Sequence, residues 1–212
     1  MSARMASRLS SVAVAALVLL SPALSPALWA QDDPLSHIGP GARGTIEQLL
    51  DSARVVGLPR APLIDKVAEG VLKGATDDRI VRAVQSLWRD LTDARLALGA
   101  DEDPAVLSAA ASALHAGVSS TELRRLANPP PPGVRPEPGS LATALVTLVD
   151  LVAKRVPVNL AASSIQQLLD RHAGEREFSA LRNDVDRDIL AGQSPEASLA
   201  ARVRAQTRTN PP

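Results

Sequence analysis

The chain has no cysteine and no tyrosine, and only one phenylalanine and two tryptophans in 212 residues. Without cysteine there can be no disulfide, no thiol-linked lipid, no thiolate metal site and no cysteine nucleophile. Aromatic residues make up 1% of the chain, so the usual bulky core is missing. Aromatic and β-branched runs of the kind that mark strands are missing with it. Ala, Leu and Val must fill the interior, which favours helices that approach closely through small side chains. The expected fold class is all-α.

Charge of one sign is also lacking. Lys and Arg number 23 and Asp and Glu 23. A balanced chain of mixed sign gives no electrostatic basis for binding nucleic acid or an anionic membrane surface. There is no uninterrupted apolar stretch of the ~20 residues that a spanning helix needs.

What is present begins with an export pattern. Arg4 and Arg8 are the only charges before an apolar run from Leu9 to Leu20, which a Pro- and Ala-rich exit follows. Residues 1–30 therefore read as a secretory signal peptide. A membrane anchor is the competing reading, which the short apolar run and the interruptions at Pro22 and Pro26 disfavour. Cleavage after Ala30 and cleavage after Ala27 both stay open. Export to the periplasm or the extracellular space is expected, with no stable membrane insertion after cleavage.

Residues 31–44 carry Pro34, Gly39, Pro40, Gly41 and Gly44 and read as a flexible lead-in. Residues 45–127 form an expected N-terminal helical block. Its first helix, about Thr45 to Val56, opens on a capping box of Thr45 and Gln48. Helices follow from Arg60 to Lys73, from a Thr76 cap to Leu98, from an Asp103 cap to His115, and from a Ser119–Glu122 capping box to Ala127. Six prolines between Asn128 and Gly139 make a semi-rigid spacer over 128–139. Residues 140–206 form a C-terminal block: a helix capped by Ser140, one capped by Asn159, one from Glu175 to Ala191 closed by Gly192, and one to Gln206. Residues 207–212 are an expected disordered tail. The whole reads as an array or irregular bundle of about eight to nine helices in hairpins.

One phrase recurs: a helix end, a glycine, an apolar residue, a helix-starting residue, and an apolar residue six positions after the glycine. It stands at Gly57 with Leu63, Gly74 with Ile80 and Gly117 with Leu123, and in weaker form at Arg155 and Gly192. Steps near forty residues suggest a decayed helix-pair repeat. Helical proteins also end helices on Gly and start them on Ser, Thr or Pro in general, so both explanations stand.

Between Gly57 and Val84 the residues Gly57-Leu58-Pro59, Leu63, Lys66, Glu69-Gly70, Lys73-Gly74, Arg79-Ile80 and Ala83-Val84 form a string. It resembles that of a group of uncharacterised exported bacterial α-helical proteins. The resemblance covers about a quarter of the mature chain and implies no activity.

The chemical inventory is thin. His37 lies in the lead-in, and His115 and His172 lie at helix ends, where a histidine interacts favourably with the helix dipole. No Gly-x-Ser-x-Gly and no phosphate-binding glycine loop occurs. Asp184, Asp186 and Asp188 begin like a calcium loop, but Ile189 stands where the turn glycine is needed and Pro195 where the bidentate Glu should be. Gly117 to Leu126 echoes a helix-turn-helix reader, which export and neutral charge oppose. No cofactor, metal or nucleic acid is expected. The function expected is that of an exported scaffold or protein-interaction protein of the bacterial envelope, with an envelope protein or peptide as partner. Its candidate contact residues are Lys66, Glu69, Lys73 and Arg79. The alternative is a periplasmic enzyme or metal-binding protein whose site is assembled from dispersed Asp, Glu, His and Arg.

Overall fold

A helix that must stop and hand over to the next one leaves carbonyls without partners, and this chain solves that problem in one way six times. Gly57, Gly74, Gly117, Arg155, His172 and Gly192 all have positive φ, between 59° and 96°. At each, the amide of that residue donates to the carbonyl three positions back, and the next amide donates to the carbonyl five positions back. Gly57 N donates to Arg54 O at 3.2 Å and Leu58 N to Ala53 O at 2.8 Å. Arg155 and Val156, and His172 and Ala173, repeat the pattern without a glycine. This is the Schellman cap.

The residue after the cap then serves the next helix. In five of the turns it stands just before the N-cap, where an apolar side chain can staple onto the fourth helical residue. The resulting pairs are Ala75 with Ile80, Val118 with Leu123, Val156 with Ala161 and Ala173 with Phe178. Gln193 and Ser198 occupy the same places in polar form. Ile80, Leu123, Ala161, Phe178 and Ser198 are all buried. The six-residue spacing in the sequence is thus the sum of two turn rules. The left-handed residues are spaced from 17 to 43 apart, so no single forty-residue period is present.

The computed structural model describes residues 33–127 and 139–209, with side chains to residue 206. The expected signal peptide and almost all of the proline-rich spacer lie outside them. Among the described residues there are nine α-helices and no strand: α1 Pro40–Val55, α2 Ala61–Leu72, α3 Asp77–Leu98, α4 Pro104–His115, α5 Ser120–Leu126, α6 Ser140–Ala153, α7 Val158–Leu169, α8 Glu175–Leu190 and α9 Pro195–Thr209. A 3-10 turn, Pro34–His37, precedes α1. The all-α fold read from the sequence is the fold observed.

Several boundaries differ, each for a physical reason. The first helix starts at Pro40, so most of the expected lead-in is structured. Thr45 lies inside α1, where its hydroxyl donates to Gly41 O at 3.1 Å instead of capping. Ser140 is the buried first residue of α6, and left-handed Gly139 precedes it. Pro157, not Asn159, is the N-cap of α7. Between α7 and α8 the left-handed residue is His172, which is not a glycine, and Gly174 is the N-cap of α8. Helix α9 runs three residues past Gln206.

Helix α3 holds α1 at both ends. Asp77, in the first turn of α3, accepts from Gly39 N at 2.9 Å. Arg95, in its last turn, donates to Gly57 O at 2.9 Å. An anion at the start of α1 and a cation at its end both oppose its dipole. The two helices therefore run side by side in the same direction, and α2 makes the return.

Packing continues in a chain of neighbours: α1 on α3, α3 on α4, α4 on α6, α6 on α8, and α8 on α9. Helix α4 can sit between α3 and α6 because Ala109, Ala110, Ala111 and Ala113 keep its buried sides thin. Helix α5 bridges α3 and α7. The described residues form one compact unit with a single hydrophobic core. The blocks 45–127 and 140–206 share this interior, a point the sequence leaves open.

A longer internal correspondence also emerges. Ile46, Leu50, Ala53, Leu58, Leu63, Val67 and Ile80 are buried, and so are Ala144, Leu148, Leu151, Val156, Ala161, Ile165 and Phe178. Each residue of the first set lies 98 positions before its counterpart, as Gly57 does before Arg155 and Gly74 before His172. Helices α2 and α7 each have 12 residues. The halves are not superposable in packing, since α2 rests on α3 whereas α7 rests on α6.

Candidate interaction surface

The four contact candidates do not form one site. On α2, Lys66 Nζ lies 2.6 Å from Glu69 Oε2, and Lys73 pairs with Glu69 Oε1 from the other side. Spacings of three and four place these side chains on one helical face. The hydrogen bonds from Lys66 and Lys73 hold the Glu69 carboxyl at about 2, below its ordinary 4.5. Both cations are thereby engaged within the protein. Arg79 stands apart in the first turn of α3, exposed and without an ion pair among the described residues.

The histidines are separated as well. His115 Nδ1 lies 3.1 Å from Asp90 Oδ2. His172 sits in the turn between α7 and α8. Among the described residues no three His, Asp or Glu side chains come together as a metal site. Asp184 and Asp186 are drawn to Arg187 and Lys154 respectively, at 2.8 Å and 3.0 Å. Asp188 is buried against Arg202, whose Nε lies 2.7 Å from its Oδ2. The Arg202 hydrogen bond holds the Asp188 carboxyl below its usual range. The three acids of the calcium-like string thus tie α8 to α6 and α9.

A surface that sequence reasoning missed lies along the C-terminal half of α3. The Schellman turn closing α1 folds over this helix, and Arg95 fixes it there. Between them is a recess of about 410 Å³ lined by Val56, Leu58, Trp88, Thr92, Arg95 and Leu96, among others. Its lining is mainly apolar. Leu96 is 78% exposed and Val56 44%, and these two of the largest exposed apolar side chains meet at one place. Leu72 and Leu190, also exposed, are the last residues of α2 and α8 and line neither recess described. On the other flank of Leu96 a second recess, about 450 Å³, is lined by Asp90, Asp93, Leu114, Ser120 and Arg124 with others.

Arg95 is the only cation in the apolar recess. Its Nη1 donates to Gly57 O, and among the described residues no carboxylate pairs with it. No helix of the described residues is long and apolar enough to cross a membrane. Comparison with protein-family models, with curated proteins and with solved structures returns no match.

Proposed function

We propose that the protein is an exported helical scaffold or interaction protein of the bacterial envelope. The observation that carries the interaction reading is the recess beside Leu96, a concave and mainly apolar place whose walls include two exposed large apolar side chains, Val56 and Leu96. The basic start and apolar run of residues 1–20 support export.

Crosslinking with mass spectrometry in native envelope tests the reading. Crosslinks from the described helices to another protein are expected, on chains whose N-terminus has lost the first 27 or 30 residues. Exported chains still beginning at Met1 or Ser2 would remove the processing claim. The absence of any crosslinked partner, together with a stoichiometric metal by elemental analysis, would favour the alternative of a metal-binding protein or enzyme.

A further inference from the structure

We propose that the apolar recess takes a segment of a partner protein that places an aliphatic side chain against Trp88 and Leu96 and a carboxylate on Arg95. This rests on reading the protein as an interaction protein and gives the chemistry of its partner. Three observations converge on it. The recess, about 410 Å³, has the volume for one or two aliphatic side chains. Its walls already expose the apolar surface that such a residue would cover, with Leu96 78% and Val56 44% accessible. Its one charge, Arg95, is incompletely used.

A guanidinium offers five N–H donors, and in this one only Nη1 has an acceptor among the described residues. That bond fixes the fork in place without neutralising it. A guanidinium at the edge of an apolar surface is a strong site for a carboxylate, because two parallel charge-assisted bonds form with little further loss of side-chain freedom. The competing fit is a basic segment drawn to Asp90 and Asp93 across Leu96. It would not use Arg95.

The full chain carrying Trp29→Phe leaves Trp88 as the single tryptophan, a reporter inside the recess. Two blocked synthetic peptides of equal length serve as probes, one of Leu and Glu and the other of Leu and Lys at helical spacing. The Leu/Glu peptide is expected to shift Trp88 emission and to bind roughly tenfold more tightly than the Leu/Lys peptide. Leu96→Glu should remove binding, Arg95→Gln should weaken it by roughly tenfold, and Arg95→Lys should restore part of it. Circular dichroism checks that each variant is folded. An unchanged Trp88 signal, preference for the Leu/Lys peptide, or binding that survives Leu96→Glu overturns the proposal. So does binding of decanoate with the same Arg95 dependence when the peptide does not bind. A native partner crosslinked in the envelope, with no binding of the Leu/Glu peptide, would overturn this chemistry and leave the interaction reading intact.

Discussion

Arg95 reaches back across 38 residues to place its Nη1 2.9 Å from the carbonyl oxygen of Gly57. That one contact ties the turn that closes α1, and walls the recess, to the last turn of α3. A Cβ on Gly57 would come within 2.7 Å of the same Nη1, and Gly57 has a φ of 71°. Gly57→Ala combines left-handed strain of about 1–2 kcal/mol with displacement of Arg95. A fall in the urea midpoint and a changed Trp88 emission are expected together. An unaltered emission maximum would show that the turn and the recess are not coupled.

Arg155 offers the opposite experiment. It occupies the same cap position with φ 69° but carries a Cβ, and its side chain is exposed with no ion pair among the described residues. Arg155→Gly should stabilise the protein by about 1 kcal/mol, measured by urea denaturation, because glycine adopts this conformation without the steric cost. A loss of stability would mean that the side chain has a role beyond this turn.

Gly70 is retained inside α2 for packing. A Cβ there would stand 2.6 Å from Ile80 Cγ1 on α3. Alanine would gain up to about 1 kcal/mol of helix propensity, but overpacking costs about 1–3 kcal/mol. Gly70→Ala should therefore destabilise, and its cost should be smaller in an Ile80→Ala background, which lacks Cγ1 and Cδ1, than in the wild type. Additive effects in that double-mutant cycle would contradict the contact.

The Lys66–Glu69–Lys73 cluster has a pH signature. The folded Glu69 carboxyl titrates at about 2, below its ordinary 4.5. The stability it contributes is present above about pH 4.5 and is lost as pH falls towards 2. The groups are more than a third exposed, so the effect is limited to about 1 kcal/mol and shrinks with salt. Wild type and Glu69→Gln should converge in thermal stability near pH 2 and separate above pH 4.5.

Local chemistry was legible in the sequence wherever a single turn decides the outcome. Ser119 and Glu122 form the expected capping box, and Asp103 accepts from Ala105 N at 2.7 Å. Lys66, Glu69 and Lys73 meet as their spacing requires. The α1 start was misread because Gly41 and Gly44 look like helix breakers. Both have open space where a side chain would be, and Asp77 binds the Gly39 amide from 38 residues away. The turns at Arg155 and His172 were obscured because neither carries the glycine that marks such a cap. The recess was invisible for another reason: it depends on where one turn lands on a distant helix, and Val56, Trp88 and Leu96 show no common period.

The most direct test of the interaction surface is a photo-crosslinking amino acid placed singly at Leu96, Leu72 and Leu190 and irradiated in envelope. The three sites are 78%, 84% and 89% exposed, so exposure alone gives them equal opportunity. A discrete product from position 96 that is absent from positions 72 and 190, and that the Leu/Glu peptide competes away, is the expected result. Equal labelling from all three, or none from position 96, would contradict a binding surface at this recess.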